Sequence, residues 1–408
     1  MTSKTVIALG LVLALAGVVS ADWESVGPEG GQIYSAVVAP SSPPALYIAS
    51  TNTNCPLLRS TDAGASWAPH GANLANYPRQ LVAHPTDPDR LYGIVSSSFY
   101  RTTDGGLNWT RSSLGTNTNG NDIALNPLNP QTIYVPCYKY DGSAWKPASA
   151  KSTDGGATWS ATQLDTITTS TVYAGAVDPV DTTVVYVGVF WNSTTAVYKS
   201  TDCGATWARN EFPTNAYYIY SMLVDPDNHD VVFAGTLYGV YRSTDAGANW
   251  TRQSTNNYNY RIVFAPEDSN CMYSASYSRT YRSTDRGLTW SVCGTFTGTQ
   301  IRTVMVTPDE PGVVYCGSTA GMFKSTDRGG TWDPVNSGIV LGRIPTISVS
   351  PHEPATVWAE FIDNDIFITT DDGGAWERAG TPLSCGNVCR ILFDRTSTQR
   401  VWMLEGTG

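Results

Sequence analysis

Short runs in which apolar and polar residues alternate, rich in Val, Ile, Tyr and Thr, recur along the chain between clusters of Pro, Asp, Asn and Gly. Alternation with period two is the pattern of a half-buried strand, and the clusters are turn signals. Two kinds of turn interleave. One is centred on Pro: VAPSSPPALY ending at Tyr47, AHPTDPDRLY at Tyr92, LNPLNPQTIY at Tyr134, VDPVDTTVVY at Tyr186, VDPDNHDVVF at Phe233, FAPEDSNCMY at Tyr273, VTPDEPGVVY at Tyr315 and VSPHEPATVW at Trp358. The other holds Asp62, Asp104, Asp154, Asp202, Asp245, Asp285, Asp327 and Asp371, and ends on Trp67, Trp109, Trp159, Trp207, Trp250, Trp290, Trp332 and Trp376; KSTDGGATW to Trp159 is typical. A strand on each side of both turns gives four strands per repeat.

Successive Trp residues of the second phrase are 42, 50, 48, 43, 40, 42 and 44 residues apart, the period of one propeller blade at about 40 to 50 residues. Four-stranded antiparallel units of this size cannot cover both faces alone. Stacking them around a central channel does so, which predicts an all-β fold, a β-propeller of four-stranded antiparallel blades. In S-T-D-x-G-x-T-W the Ser hydroxyl and Asp carboxylate can accept from backbone N–H groups of their own turn, the Gly takes a positive φ, and the Trp packs between sheets. The phrase is thus expected to be structural.

Eight complete repeats predict eight blades, with seven and nine as the neighbouring counts. Trp23–Gly27 resembles an outermost strand, and 389–405 resembles two inner strands of a further repeat; paired together, these pieces would close the ring. Lys4, the apolar run 6–19 and Val19-Ser20-Ala21 fit a secretory signal peptide over 1–21, leaving 22–408 as one propeller domain, secreted, periplasmic or at the cell surface. No later run is long and apolar enough for a membrane span. A formal net charge of −10 argues against nucleic acid as partner. The eight Cys residues occupy different repeat positions and lack paired CxxC spacing; Cys385 and Cys389 are near enough to bridge. The four His residues form no catalytic or metal constellation, so neither a metal nor a cofactor is expected. DPDNHD, with Asp225, Asp227 and Asp230, lacks the Gly and terminal Glu of an EF-hand loop and is expected to be a turn.

The second phrase resembles the Asp-box, or BNR, repeat at all eight positions, over nearly the whole mature chain. Families carrying it include sialidases, two-propeller xyloglucan hydrolases, sortilin-type receptors and Ycf48-type photosystem II assembly factors. The resemblance implies a β-propeller with the boxes on the outer rim, away from the ligand-binding face. It does not specify an activity.

Function is expected on the opposite face, on the links between second and third strands and between repeats. Aligned on the first Pro, the repeats place Tyr34, Arg79, Asn121, Tyr173, Tyr220, Tyr260, Arg302 and Pro345 six residues upstream, a ring at the channel mouth. Such residues can stack on sugar faces and bond hydroxyls or a carboxylate. The loops add Tyr140 and Trp145, Trp191, and the tyrosine-rich TNAYYIY and NNYNYR segments. Sialidases would further require an arginine triad, a Tyr–Glu pair and an Asp; here Arg343-Ile344-Pro345 falls in a different repeat from the family's Arg-Ile-Pro, and Glu211, Asp122, Asp141, Asp165 and Asp363 form no defining pattern. The residues therefore predict no catalytic group and an exported, non-catalytic scaffold for a glycan, peptide or protein surface, of unassigned oligomeric state. The alternatives are a sialidase-like glycoside hydrolase and a Ycf48-like assembly factor.

Overall fold

The computed structural model describes residues 31–408 apart from 53–54, 72, 169, 214–215, 297–298, 309, 337–345, 351–352, 354–355, 361–365, 372–376, 379–387, 394–400 and 406–408. The expected leader, Trp23–Gly27, Pro345, Asp363, Trp376 and Cys385 lie outside the described residues. The first repeat folds as an antiparallel meander of Ile33–Ala39, Ala45–Ser50, Leu57–Ser60 and Ala68–His70. The same meander recurs over 80–112, 118–163, 170–211, 219–252, 261–295 and 301–334; these are blades 1 to 7. In blade 3 a short strand, Thr118–Gly120, also pairs with Ile133–Tyr140.

Burial peaks at the second strand of each blade and falls towards the rim. Second strands such as Ala45–Ser50 and Val232–Thr236 are buried throughout, whereas the fourth strand of blade 5, Thr251–Arg252, is exposed. The apolar cores lie between blades: Tyr186 and Val197 of blade 4, for example, pack with Met222, Val232 and Trp250 of blade 5. An inner strand covered on both faces needs apolar residues at every position, which is why these runs lose the two-residue alternation.

Among the described residues the ring closes over seven blades, not eight. Strand Ile33–Ala39 packs against Gln80–Ala83 of blade 2 on one side and Ile301–Val306 of blade 7 on the other. Ile48, Leu58 and Trp67 share a core with Met305, Tyr315 and Met322. The Tyr315 hydroxyl donates to the Ala63 carbonyl at 2.8 Å and Lys324 Nζ to the same oxygen at 3.2 Å, while Trp67 Nε1 donates to the Val335 carbonyl at 2.9 Å. Blade 1 is complete within its own four strands, so no composite of terminal strands is needed. Repeat number counts blades available; the wedge of side chains between blades decides how many fill a circle. The eighth repeat forms its own sheet over 346–378, and its first strand, Thr346–Val349, packs against Val388–Phe393 of a hairpin over 388–405.

The box turns hold adjacent blades together. The residue after each Asp in the seven blades has φ between 52° and 67°, and the next Gly between 76° and 91°, so two successive residues are left-handed where only the Gly was expected to be. Ser60 Oγ donates to Asp62 at 2.7 Å and accepts from Gly64 N at 2.9 Å, while Asp62 accepts from Ser66 N at 2.9 Å. Hydrogen bonds from Ser66 and Ser60 lower the Asp62 carboxyl to about 2, and those from Asn108 and Thr102 do the same for Asp104. The turn thus offers its outward carbonyl to the preceding blade: Tyr47 donates to Gly105, Tyr134 to Cys203, Tyr186 to Ala246 and Tyr315 to Ala63. The Tyr that ends the Pro phrase and the Asp phrase of the next blade are two halves of one joint, a relation hidden in the sequence because they stand 58 to 69 residues apart, and 252 apart where the ring closes. Of the box indoles, Trp67, Trp109 and Trp250 are buried, and Trp159, Trp207, Trp290 and Trp332 half-buried.

Asp225 of the DPDNHD phrase accepts backbone N–H groups of Asp227 and Asn228 and the fork of Arg286, at 2.6 and 2.9 Å. It is a turn braced by the neighbouring box. Cys55, Cys137, Cys203, Cys271, Cys293 and Cys316 are free thiols. Among the described residues no three His, Cys, Asp or Glu side chains converge as metal ligands, and no helix is long and apolar enough to cross a membrane.

Candidate ligand site at the channel mouth

One residue from each blade meets at the mouth of the channel: Tyr34, Arg79, Asn121, Tyr173, Tyr220, Tyr260 and Arg302, joined by Ser35, Gln80, Arg261 and Thr303, line a single cavity of about 280 Å³. The backbone explains how they reach it. In blades 1, 4, 5 and 7 the pairing with the second strand slips between Ile33 and Ser35, Val172 and Ala174, Ile219 and Ser221, and Ile301 and Thr303. The residue skipped each time is the mouth residue. A β-bulge leaves one residue unpaired and re-aims its side chain, here into the channel. In blades 2 and 6 the residue stands just before the inner strand, and in blade 3 it directly follows Thr118–Gly120; in all three its N–H is held by the second strand: Arg79 to Ile94 O at 2.8 Å, Asn121 to Pro136 O at 3.0 Å and Tyr260 to Ala275 O at 2.9 Å.

The neighbouring position locks one blade to the next. Ser35 Oγ accepts from Leu81 N at 3.0 Å, Ser221 Oγ from Ile262 N at 3.2 Å, and Asp122 Oδ2 from Gly175 N at 3.0 Å. Asp122 is buried, and loss of hydration pushes its carboxyl up to about 6 against the attraction of Arg261 and the N–H groups of Gly175 and Ile123. Arg302 lies between two rings, its guanidinium carbon 5.0 Å from the Tyr260 centroid and 5.6 Å from that of Tyr34. Its Nη2 donates to Gln300 Oε1 at 2.6 Å, and its buried Nε has no hydrogen-bond partner among the described residues. Burial raises the phenols of Tyr173, Tyr220 and Tyr260, which keeps them as neutral donors.

The aromatic wall continues onto the surrounding face. Tyr173 stacks on Tyr220 at 6.0 Å, Tyr220 meets Tyr260 at 5.2 Å, and Tyr258 bridges Tyr260 to Tyr277. On the other side Tyr218 joins Tyr173 to Phe190, and Tyr217 joins Phe190 to Tyr238. The TNAYYIY and NNYNYR links and Phe190 beside Trp191 thus form one belt across blades 4 to 6. Tyr217, Tyr218 and Tyr258 sit on the two tyrosine-rich links expected to carry function, whereas Tyr238 and Tyr277 join the belt with no signal in the sequence, since ring-to-ring contact between different repeats leaves no local pattern.

The remaining candidates lie apart. Tyr140 and Trp145 pair with each other at 5.6 Å near the tip of a blade 3 hairpin, whose turn Asp141 caps through the N–H groups of Ser143 and Ala144. Trp191 lies under the Arg209 guanidinium at 4.4 Å. Arg209 also pairs with Glu211 at 2.8 Å, and Asp165 accepts the Tyr198 hydroxyl at 2.5 Å. Those carboxylates brace blade 4. No Asp or Glu is among the described side chains lining the mouth cavity.

Fold and repeat together define a β-propeller of four-stranded antiparallel blades. The family model for sortilin, neurotensin receptor 3, matches residues 55–194. The chain is 32% identical over 113 residues to the xyloglucanase Xgh74A of Acetivibrio thermocellus, a stretch covering 25% of this chain and 13% of that enzyme. Among solved structures an ancestral GH74 enzyme is similar with a TM-score of 0.70 at 19% identity, over 90% of this chain and 58% of that one. Ycf48 from Cyanidioschyzon merolae is similar with a TM-score of 0.55 at 15% identity, over 74% of this chain and 98% of that one. The structural likenesses describe the fold. The chain thus spans just over half of the GH74 structure, and its match covers a small part of the curated xyloglucanase.

Proposed function

We propose that this is an exported binding scaffold whose channel-mouth face takes a glycan, peptide or protein ligand without transforming it. The observation that carries the reading is the convergence of seven side chains, one from each blade, on one cavity, four of them delivered by β-bulges. Bulges cost ladder hydrogen bonds, and their repetition at one position is what a recognition surface on a rigid frame requires.

A second reading, a glycoside hydrolase, is favoured by the 32% identity to the xyloglucanase. One experiment separates them: incubation of the chain from Asp22 with sialosides and plant and bacterial polysaccharides, scoring retention and products together by mass spectrometry. Retention without products supports the scaffold. Cleavage abolishes it in favour of the hydrolase, and neither result directs the search to protein partners.

A further inference from the structure

The charge of the mouth is opposite to that of the molecule. The chain carries a formal net charge of −10, yet Arg79, Arg261 and Arg302 line the same cavity of about 280 Å³, and no carboxylate stands among its described lining residues. Asp122 is the nearby acid, but its two oxygens already accept the N–H groups of Gly175 and Ile123. It compensates one cation at most. Guanidinium groups gathered in a partly enclosed, low-dielectric space repel one another, and an arrangement of this kind is stabilised by an anion that accepts from several of them.

The rest of the lining narrows the ligand. Tyr34, Tyr173, Tyr220 and Tyr260 contribute flat walls, and Ser35, Gln80, Asn121 and Thr303 contribute groups that donate and accept around the rim. A pyranose offers two flat C–H faces and a hydroxyl on almost every carbon, so it uses both kinds of group at once. A peptide terminus would leave most of these rim groups unused. The volume suits one sugar ring, and the belt from Tyr258 to Phe190 extends beyond the cavity as a surface on which further rings can lie.

We propose that the channel mouth recognises a uronic-acid unit of an acidic polysaccharide, the arginines taking the carboxylate and the tyrosines the ring. This deepens the binding-scaffold reading and rests on it. Arginine is suited to the task because its planar fork matches a carboxylate bidentately and it stays charged at every accessible pH.

The test is calorimetric titration of the full mature chain with trigalacturonate, its methyl ester, a neutral xyloglucan oligosaccharide and a peptide with a free C-terminal carboxylate. Arg79→Gln and Arg261→Gln variants, checked for an unchanged thermal transition, are titrated in parallel. We expect trigalacturonate to bind, with affinity at least tenfold weaker after esterification and in either variant, and to weaken as salt is raised. Equal affinity for the acid, its ester and the neutral oligosaccharide would overturn the acidic-sugar proposal and leave the scaffold reading standing. Binding of the peptide alone would overturn it in favour of a protein ligand. Silence from all four probes, with no retention in the wider panel, would overturn the acidic-sugar proposal and leave the scaffold reading with a protein ligand alone.

Discussion

Closure over seven blades can be tested at a single pair of residues separated by most of the chain. In the seam between blades 7 and 1, a Cβ added to Gly317 would lie 2.7 Å from Ile33 Cγ2, 2.9 Å from Thr303 Cγ2 and 3.1 Å from Ile33 Cβ. Ile33 is fully buried and β-branched, and Thr303 is fixed opposite Gly317 in the ladder, so neither side chain swings away easily. Overpacking of this kind costs about 1 to 3 kcal/mol, of which the lower entropy of Ala in the unfolded chain returns roughly 0.5 kcal/mol. Gly317→Ala is therefore expected to destabilise by about 0.5 to 2.5 kcal/mol. Ile33→Leu removes the Cγ2 that makes the clash and keeps the volume, at a cost below about 1.5 kcal/mol. The double variant should recover about 1 kcal/mol relative to the sum of the single changes. Guanidinium denaturation reads this as a shift in midpoint at constant slope. The equivalent seam between blades 4 and 5 brings Ile219 to Gly188, where an added Cβ would lie 2.9 Å from Ile219 Cβ and 3.1 Å from its Cγ2 and Cδ1; Leu removes the Cγ2 and keeps the Cβ, so Gly188→Ala with Ile219→Leu is an internal standard in which a smaller coupling is expected. Coupling at Gly188 together with additivity within about 0.5 kcal/mol at Gly317 would refute the seven-blade seam.

Three further outcomes follow from the described contacts. Ser60→Ala leaves the buried N–H of Gly64 without its acceptor and should cost about 1 to 3 kcal/mol, measured as a midpoint shift in denaturant; no shift would show that the turn re-forms around another acceptor. Trp250→Ala, which empties a buried site in the core between blades 4 and 5, is expected to cost about 3 to 5 kcal/mol, and a loss below about 1 kcal/mol would contradict that packing. Asp122 has a folded-state carboxyl near 6, above its unfolded value, so between about pH 4 and 6 the folded chain holds a proton that the unfolded chain has released. Its term therefore makes the protein more stable at low pH, by up to about 3 kcal/mol, and that stability is lost as pH rises through 6. The box carboxyls, lowered to about 2 at Asp62 and Asp104, act the other way, contributing stability above about pH 4 that disappears as pH falls towards 2. Thermal midpoints of the wild type and Asp122→Asn across pH 4 to 8 separate the two, since the variant should lose the decline through pH 6; identical profiles would refute the assignment to Asp122.

The sequence alone determined the blade. Alternation, the Pro turn and the S-T-D-x-G-x-T-W turn are local, and each fixes its strands through bonds that span a few residues, such as Ser60 to Gly64 and Asp62 to Ser66. Repetition also carried the mouth: because every blade places the residue six before its Pro at the same radius, aligning the phrases was enough to predict that Tyr34, Arg79, Asn121, Tyr173, Tyr220, Tyr260 and Arg302 would meet. What alignment could not supply is whatever depends on contact between repeats. The number of blades follows from the wedge angle set by pairs such as Ile33 with Gly317, the Tyr315 hydroxyl finds Ala63 from the far end of the chain, and Asp122 acquires its raised carboxyl only when blade 4 covers it. Tyr140, Trp145 and Trp191 share the composition of the mouth residues but not their radius, so only the tertiary structure set them apart. A local turn is specified by its own residues, whereas curvature and burial are sums over many side chains and exist only once the ring has closed.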